Sequence, residues 1–177
     1  MPPATPTTNL LPPDWLDAEP AFDCGTVPAP LRALVHELAS GGASRRTAVL
    51  WLSPASYAAG PRWAAHCLGL LPRHLGREVV ATCEAQGTLR VPAHASTLLK
   101  HVSTAHAAGG SGGAWIWGLD ALLTRLPAAE RQVFWDELFA LRQRPPLMLA
   151  LPETFHEFGP SDPERWQRAE PCRGLVL

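Results

Sequence analysis

Ala114-Trp-Ile-Trp-Gly-Leu-Asp120 is the stretch on which the reading of this chain turns. It is an apolar strand that ends in an acidic residue, the form in which nucleotide-hydrolysing α/β domains present a magnesium-binding carboxylate. Such domains also need a glycine-rich loop closed by Lys and Ser or Thr, whose amides and ammonium hold the phosphates. Of the 15 Lys and Arg residues only Lys100 is a lysine, and it falls in a segment with helical spacing rather than after the first strand. The scaffold of a nucleotide enzyme is legible here; its phosphate grip is not.

Outward from that strand the chain alternates. Upstream, Thr47-Ala-Val-Leu-Trp-Leu-Ser53 is a continuous apolar run, as expected of a strand buried on both faces. A helix from Pro30 to Leu38 precedes it, with Gly41-Gly42 as its stop. A Pro/Gly turn and a short helix opened by Pro61 follow it, and Glu78-Val-Val-Ala-Thr-Cys83 reads as the second strand. Ala93 to Ala107 has helical spacing, with Leu98, Leu99, Val102 and Ala105 on one side. Downstream, Pro127 opens a helix that sends Val133, Phe134, Leu138 and Leu141 to the core and stops at Pro145-Pro146. Leu147-Met-Leu-Ala-Leu151 is a fourth strand and Gly174-Leu-Val-Leu177 a fifth. Strands separated by helices imply βαβ units. The fold class is therefore α/β, a three-layer, doubly wound, mainly parallel sheet of about five strands. Ligands of such sheets bind beyond the carboxyl ends of the strands.

The domain organisation follows from proline. Residues 1–29 form a Pro-rich arm, unable to be a regular helix or central strand, and residues 30–177 form one α/β domain. Leu10, Leu11, Trp15, Leu16 and Phe22 are the arm's large apolar groups, available to pin it to the domain or to a partner. Hydrophobic residues at 46% and charged residues at 18% fit a globular chain. A net charge of −1 gives no broad electrostatic grip on nucleic acid or an anionic membrane. Cys24, Cys67, Cys83 and Cys172 are scattered without a CxxC pair, and no secretory signal or bilayer-length apolar run is present. Reduced, buried thiols in a cytoplasmic protein are the expectation.

The chemistry-bearing candidates are few. Ser53-Pro-Ala-Ser-Tyr-Ala-Ala-Gly60-Pro-Arg-Trp stands where a phosphate loop would, with the wrong glycine spacing and Arg62 in place of a Lys-Ser pair. It reads as a surface turn. Asp120 reads as the cap of a short helix over 121–126, with metal binding as the sharper alternative. His94, His101 and His106 are spaced seven and five apart, which does not match the i,i+4 pairs of helical zinc sites, so they read as solvated or capping residues. His66 and Cys67 point to different helix faces. There is no GxSxG elbow for a nucleophile. Trp51, Trp115 and Trp117 belong in or near the core, whereas Trp15, Trp63, Trp135 and Trp166 are open to partner contact.

The layout of strand, altered loop, helix, strand, helix, Trp-Ile-Trp-Gly-Leu-Asp, helix and strand resembles a stripped, degenerate P-loop domain of the RecA type. Arg46-Thr-Ala-Val-Leu-Trp-Leu-Ser-Pro54, with Trp63 and Leu68-Gly-Leu-Leu-Pro72, is similar to the SulA-type cell-division inhibitors. The related ImuA-type proteins of damage-induced mutagenesis share the layout, as do small P-loop-like accessory proteins of phage-defence islands. The resemblance covers roughly residues 30–151; Gly109-Gly-Ser-Gly-Gly113 and the tail from Pro152 to Arg173 depart from it. It implies a non-hydrolysing fold whose partner is another protein: a tubulin-like division protein, a recombinase or polymerase, or a defence-complex subunit. DNA would enter only indirectly, and a homo-oligomer stays open.

Three functions thus compete. The first is an inert RecA-like adaptor, without cofactor or metal, contacting its partner through Trp15, Leu16, Trp63 and Arg62. The second is a nucleotide-binding enzyme using Arg62 and Asp120. The third is a DNA-associated module using Arg45, Arg46, Arg142 and Arg144.

Overall fold

The computed structural model describes residues 23–177 except 41, 43, 89–90, 111 and 143–144. Trp15, Leu16 and Arg144, with most of the proline-rich arm, lie outside the described residues. The five strands are β1 (Thr47–Leu52), β2 (Leu71–His74), β3 (Ala114–Trp117), β4 (Leu147–Pro152) and β5 (Gly174–Val176). They form a single sheet in the order β2-β3-β4-β1-β5, and every pairing is parallel. The helices are α1 (Ala29–Ser40), α2 (Pro54–Cys67), α3 (Leu75–Ala85), α4 (Ala95–Ala107), α5 (Asp120–Leu123), α6 (Ala128–Ala140) and α7 (Pro163–Gln167).

Alternation along the buried strands sorts side chains between two cores. Val49, Trp51, Ile116, Leu147, Leu149 and Leu151 face α3 to α7. Ala48, Leu50, Leu52, Trp115, Met148 and Ala150 face α1 and α2. The chain steps from β1 across to the far edge at β2, then returns through β3 and β4. Reversing direction in a right-handed connection moves the helices to the opposite face. The result is a three-layer α/β architecture, with helices on both faces of a five-stranded parallel sheet.

Two elements differ from the sequence expectation. The second strand is Leu71–His74, and Glu78–Cys83 lies within α3. Leu75, Val79 and Cys83 recur at i, i+4 and i+8, so that run carries a helical stripe; Leu75 and Val79 are buried while Val80 is exposed. Pro72 is tolerated in β2 because that strand is an edge. Likewise, no turn separates β1 from Pro61. Ser53 caps α2 directly, its hydroxyl accepting from the Ser56 amide at 3.3 Å, and Pro54 takes the first helical position. Pro61 sits inside the helix, where Gly60 allows α2 to press onto β3: a Cβ at Gly60 would stand 2.5 Å from Trp115.

Several side chains are placed differently too. Trp63 is 5% exposed and donates through Nε1 to Thr26 Oγ1 at 3.3 Å, so it is a core residue and not a contact residue. Trp135 and Trp166 are also buried, whereas Val133, expected in the core, is 46% exposed. His106 is buried at 6% exposure rather than solvated, with Nε2 2.8 Å from the Pro145 carbonyl. Cys24 and Cys67 are joined in a disulfide, which corrects the expectation of four reduced, buried thiols; Cys83 is half-buried and Cys172 exposed. In the chain-entropy view, closing that 43-residue separation stabilises the fold by about 4 kcal/mol.

Candidate functional site

The crevice predicted at the carboxyl ends of the strands exists. It is a cavity of about 830 Å3 beyond β2 and β3, lined by Tyr57, His74, Arg77, Val80, Trp117 and Asp120, among others. Tyr57 comes from the first turns of α2, His74 ends β2, Trp117 ends β3, and Asp120 opens α5.

A short hydrogen-bond chain fixes its floor. Gly118 takes a φ of +67°, a region suited to glycine, which turns its N–H toward the Tyr57 hydroxyl at 3.0 Å. The same hydroxyl donates to Asp120 Oδ1 at 3.2 Å. Burial pushes the Tyr57 phenol well above the usual tyrosine range; the Gly118 N–H opposes that shift, and the Asp120 charge adds to it. Tyr57 is therefore a neutral phenol throughout the physiological range. The expected capping role of Asp120 is not what the geometry gives. The N-cap of α5 is Leu119, without a side-chain cap bond, and Asp120 lies in the helix's first turn, holding Tyr57.

His74 closes the other wall. Its ring lies 4.5 Å from that of Trp117, and a Cβ on Gly118 would collide with it. Nδ1 accepts from the Arg77 amide at 3.3 Å and so caps α3; that bond leaves the proton of the neutral imidazole on Nε2. Burial, then the Arg77 charge, lowers its pKa below the ordinary histidine value, so the ring is neutral at pH 7. The rest of the wall combines apolar Val80, Val91 and Leu122 with charged Arg77, Glu84 and Arg125.

Of the residues picked from the sequence, Asp120 is in this site. Arg62 is exposed on α2 and does not line the cavity. Tyr57 and His74 were missed. The glycine-rich run near residues 109–113 is at the opposite end of β3, where Gly113 would meet the Pro146 carbonyl if it bore a side chain, so it cradles nothing at the crevice. Among the described residues no group of three or more His, Cys, Asp or Glu is placed to hold a metal ion. No helix among them is long and apolar enough to cross a membrane.

Fold and site together define a class: a three-layer, parallel α/β domain in which one residue, Ser53, separates β1 from its helix, and in which the acidic residue after β3 is engaged by a tyrosine. No protein-family model, curated protein or solved structure matches the chain.

Proposed function

We propose that this protein is a non-hydrolysing RecA-like adaptor that acts by binding another protein. The observation that carries the reading is the Tyr57–Asp120 contact at 3.2 Å. The carboxylate that would hold magnesium accepts from a phenol, and α2 begins at once where a phosphate-wrapping loop of eight positions would be required. Neither a cradle of free amides nor a lysine stands at that turn.

The crevice is suited instead to a polypeptide side chain. It offers a half-buried Trp117, exposed Val80 and Val91, and a charged rim of Arg77, Glu84 and Arg125. Apolar floors with polar rims are how protein contacts are built. This surface replaces Trp63 in the partner reading; Arg62 remains an exposed neighbour on α2. The resemblance to SulA- and ImuA-type proteins points to a bacterial division-control or DNA-damage pathway, with a tubulin-like division protein or a recombinase or polymerase as partner. It also points to the cytoplasm, where a Cys24–Cys67 bond would be transient.

Titration calorimetry with ATP and GTP in magnesium tests the inert half of the proposal: no saturable heat is expected. Micromolar binding that disappears in Arg62→Ala would favour the nucleotide enzyme instead. Co-purification from native extract, comparing wild type with Val80→Asp, tests the binding half. A partner retained equally by both proteins would remove the crevice from the reading.

A further inference from the structure

The opposite end of the sheet gathers a different chemistry. Arg45 stands just before β1 and Arg173 just before β5. With Ser44, Phe139, Arg142 and Glu170 they line a cavity of about 410 Å3. Arg173 is 2% exposed, an unusual position for a guanidinium, and it donates Nη1 to the Phe139 carbonyl at 3.0 Å. Its planar group stacks 3.9 Å above the Phe139 ring, with Trp166 at 5.2 Å. Arg45 approaches the same Phe139 ring at 6.0 Å.

Acids do not balance this cluster. Among the described residues neither Arg45, Arg142 nor Arg173 has a carboxylate within ion-pair distance. Glu170 alone of the lining residues carries negative charge. Nearby Arg165, which also stacks on Phe139 at 3.9 Å, is already paired with Asp136 at 2.8 Å. Arg46, grouped with Arg45 from the sequence, is not available: it is buried and donates to the Ala39 carbonyl. Burial, followed by the repulsion of Arg45 and Arg165, lowers the Arg173 pKa to about 10. Gathering like charges around a part-enclosed space is unfavourable unless an anion completes it, and guanidinium forks match tetrahedral oxyanions.

We infer that Arg45, Arg142 and Arg173 form a binding site for a phosphate group at the amino ends of β1 and β5. Arg173 is the rigid member, held by its stacking and its bond to Phe139. Arg45 and Arg142 are exposed and close over the anion. The site is independent of the crevice at the carboxyl ends. The same phosphate chemistry is offered by a free phosphorylated molecule and by the backbone of a nucleic acid.

Two probes separate these sources: inorganic pyrophosphate, followed by calorimetry, and a fluorescent single-stranded DNA 20-mer, followed by anisotropy. The variants are Arg45→Gln, Arg142→Gln and the pair together; both positions are exposed, and thermal melts confirm folding. Pyrophosphate binding weakened about tenfold or more by the double variant supports the site. If the oligonucleotide binds as well, is displaced by pyrophosphate, and loses about 0.7 from its log–log salt slope per arginine removed, the source is a nucleic-acid backbone. If the oligonucleotide is indifferent, the source is a free anion. No binding of either probe to the wild type, or binding unchanged in the double variant, overturns the inference. Neither of these results touches the adaptor reading, which rests on Tyr57 and the other cavity.

Discussion

Replacing Tyr57 by Phe removes one oxygen and breaks two bonds at once. The Gly118 N–H, which donates to that oxygen at 3.0 Å, is left in a buried position without an acceptor, at a cost of about 1–3 kcal/mol. The bond to Asp120 Oδ1 at 3.2 Å is also lost; bonds to charged groups contribute about 1.5–3 kcal/mol when well shielded. Both side chains are only half-buried, so solvent recovers part of each term, and a total of about 2 kcal/mol is expected. For a chain of this size that lowers Tm by about 4–8 °C. The cycle with Asp120→Ala separates the two bonds. In that background Tyr57→Phe breaks only the Gly118 bond, and its cost falls to about 1 kcal/mol, a coupling of about 1 kcal/mol. Urea or thermal unfolding of the four proteins measures all of this. A Tyr57→Phe protein within about 0.5 kcal/mol of wild type, or an equal cost in both backgrounds, would refute the claim that Tyr57 engages the carboxylate.

Four further outcomes are expected. Gly118→Ala, forced to φ near +67° with its methyl against the His74 ring, should lose roughly 2–4 kcal/mol in denaturant unfolding, far more than an exposed Gly→Ala change. In the unfolded, unreduced protein a thiol reagent should titrate only Cys83 and Cys172, and reduction should expose the Cys24–Cys67 pair as well and lower Tm; four reactive thiols before reduction would contradict the bond. His74 has a depressed folded pKa, so the unfolded chain takes up a proton first as pH falls below about 6.5, and the stability present above that value is progressively lost. His74→Asn keeps a capping acceptor but no titration, so its stability should fall less steeply between pH 7 and pH 5 than that of the wild type; identical slopes would assign the acid sensitivity elsewhere. Glu130 accepts from the Ala95 amide at 2.7 Å and thereby caps α4 from α6, a bond that, before the lesser influence of His94, holds its carboxyl below the usual range; Glu130→Ala should increase hydrogen exchange at the first turn of α4 while leaving β4 protected.

What could be read from the sequence was set by burial. β1, β3 and β4 are continuous apolar runs because they are covered on both faces, and they stand out without any tertiary knowledge. β2 did not, since four residues containing Pro72, Arg73 and His74 carry no apolar pattern, and an edge strand needs none. The adjacent Val79-Val80 supplied a β-branched signal that the Leu75–Val79–Cys83 spacing should have outweighed. At the site, Asp120 was visible because it ends an apolar strand. Tyr57 was hidden by the apparent turn around Gly60 and Pro61, although Ser53-Pro54 is a helix-start signature that would have placed Tyr57 one turn along. His74 was legible only once β2 was known. The pairing of Cys24 with Cys67 brings together segments far apart in the chain, and spacing alone does not announce it.

The abrupt junction at Ser53 has a consequence for how such a domain could acquire a phosphate-binding loop. The missing cradle is a deficit of length before it is one of spelling. No exchange of side chains at Pro54, Ser56 or Gly60 would free the backbone of that segment, because it is already wound into α2, which packs on Trp115 at Gly60. Recovery would need inserted residues to lift that helix outward, carrying Tyr57 away from Asp120. Point mutation alone therefore leaves the junction between β1 and α2 without room for such a loop.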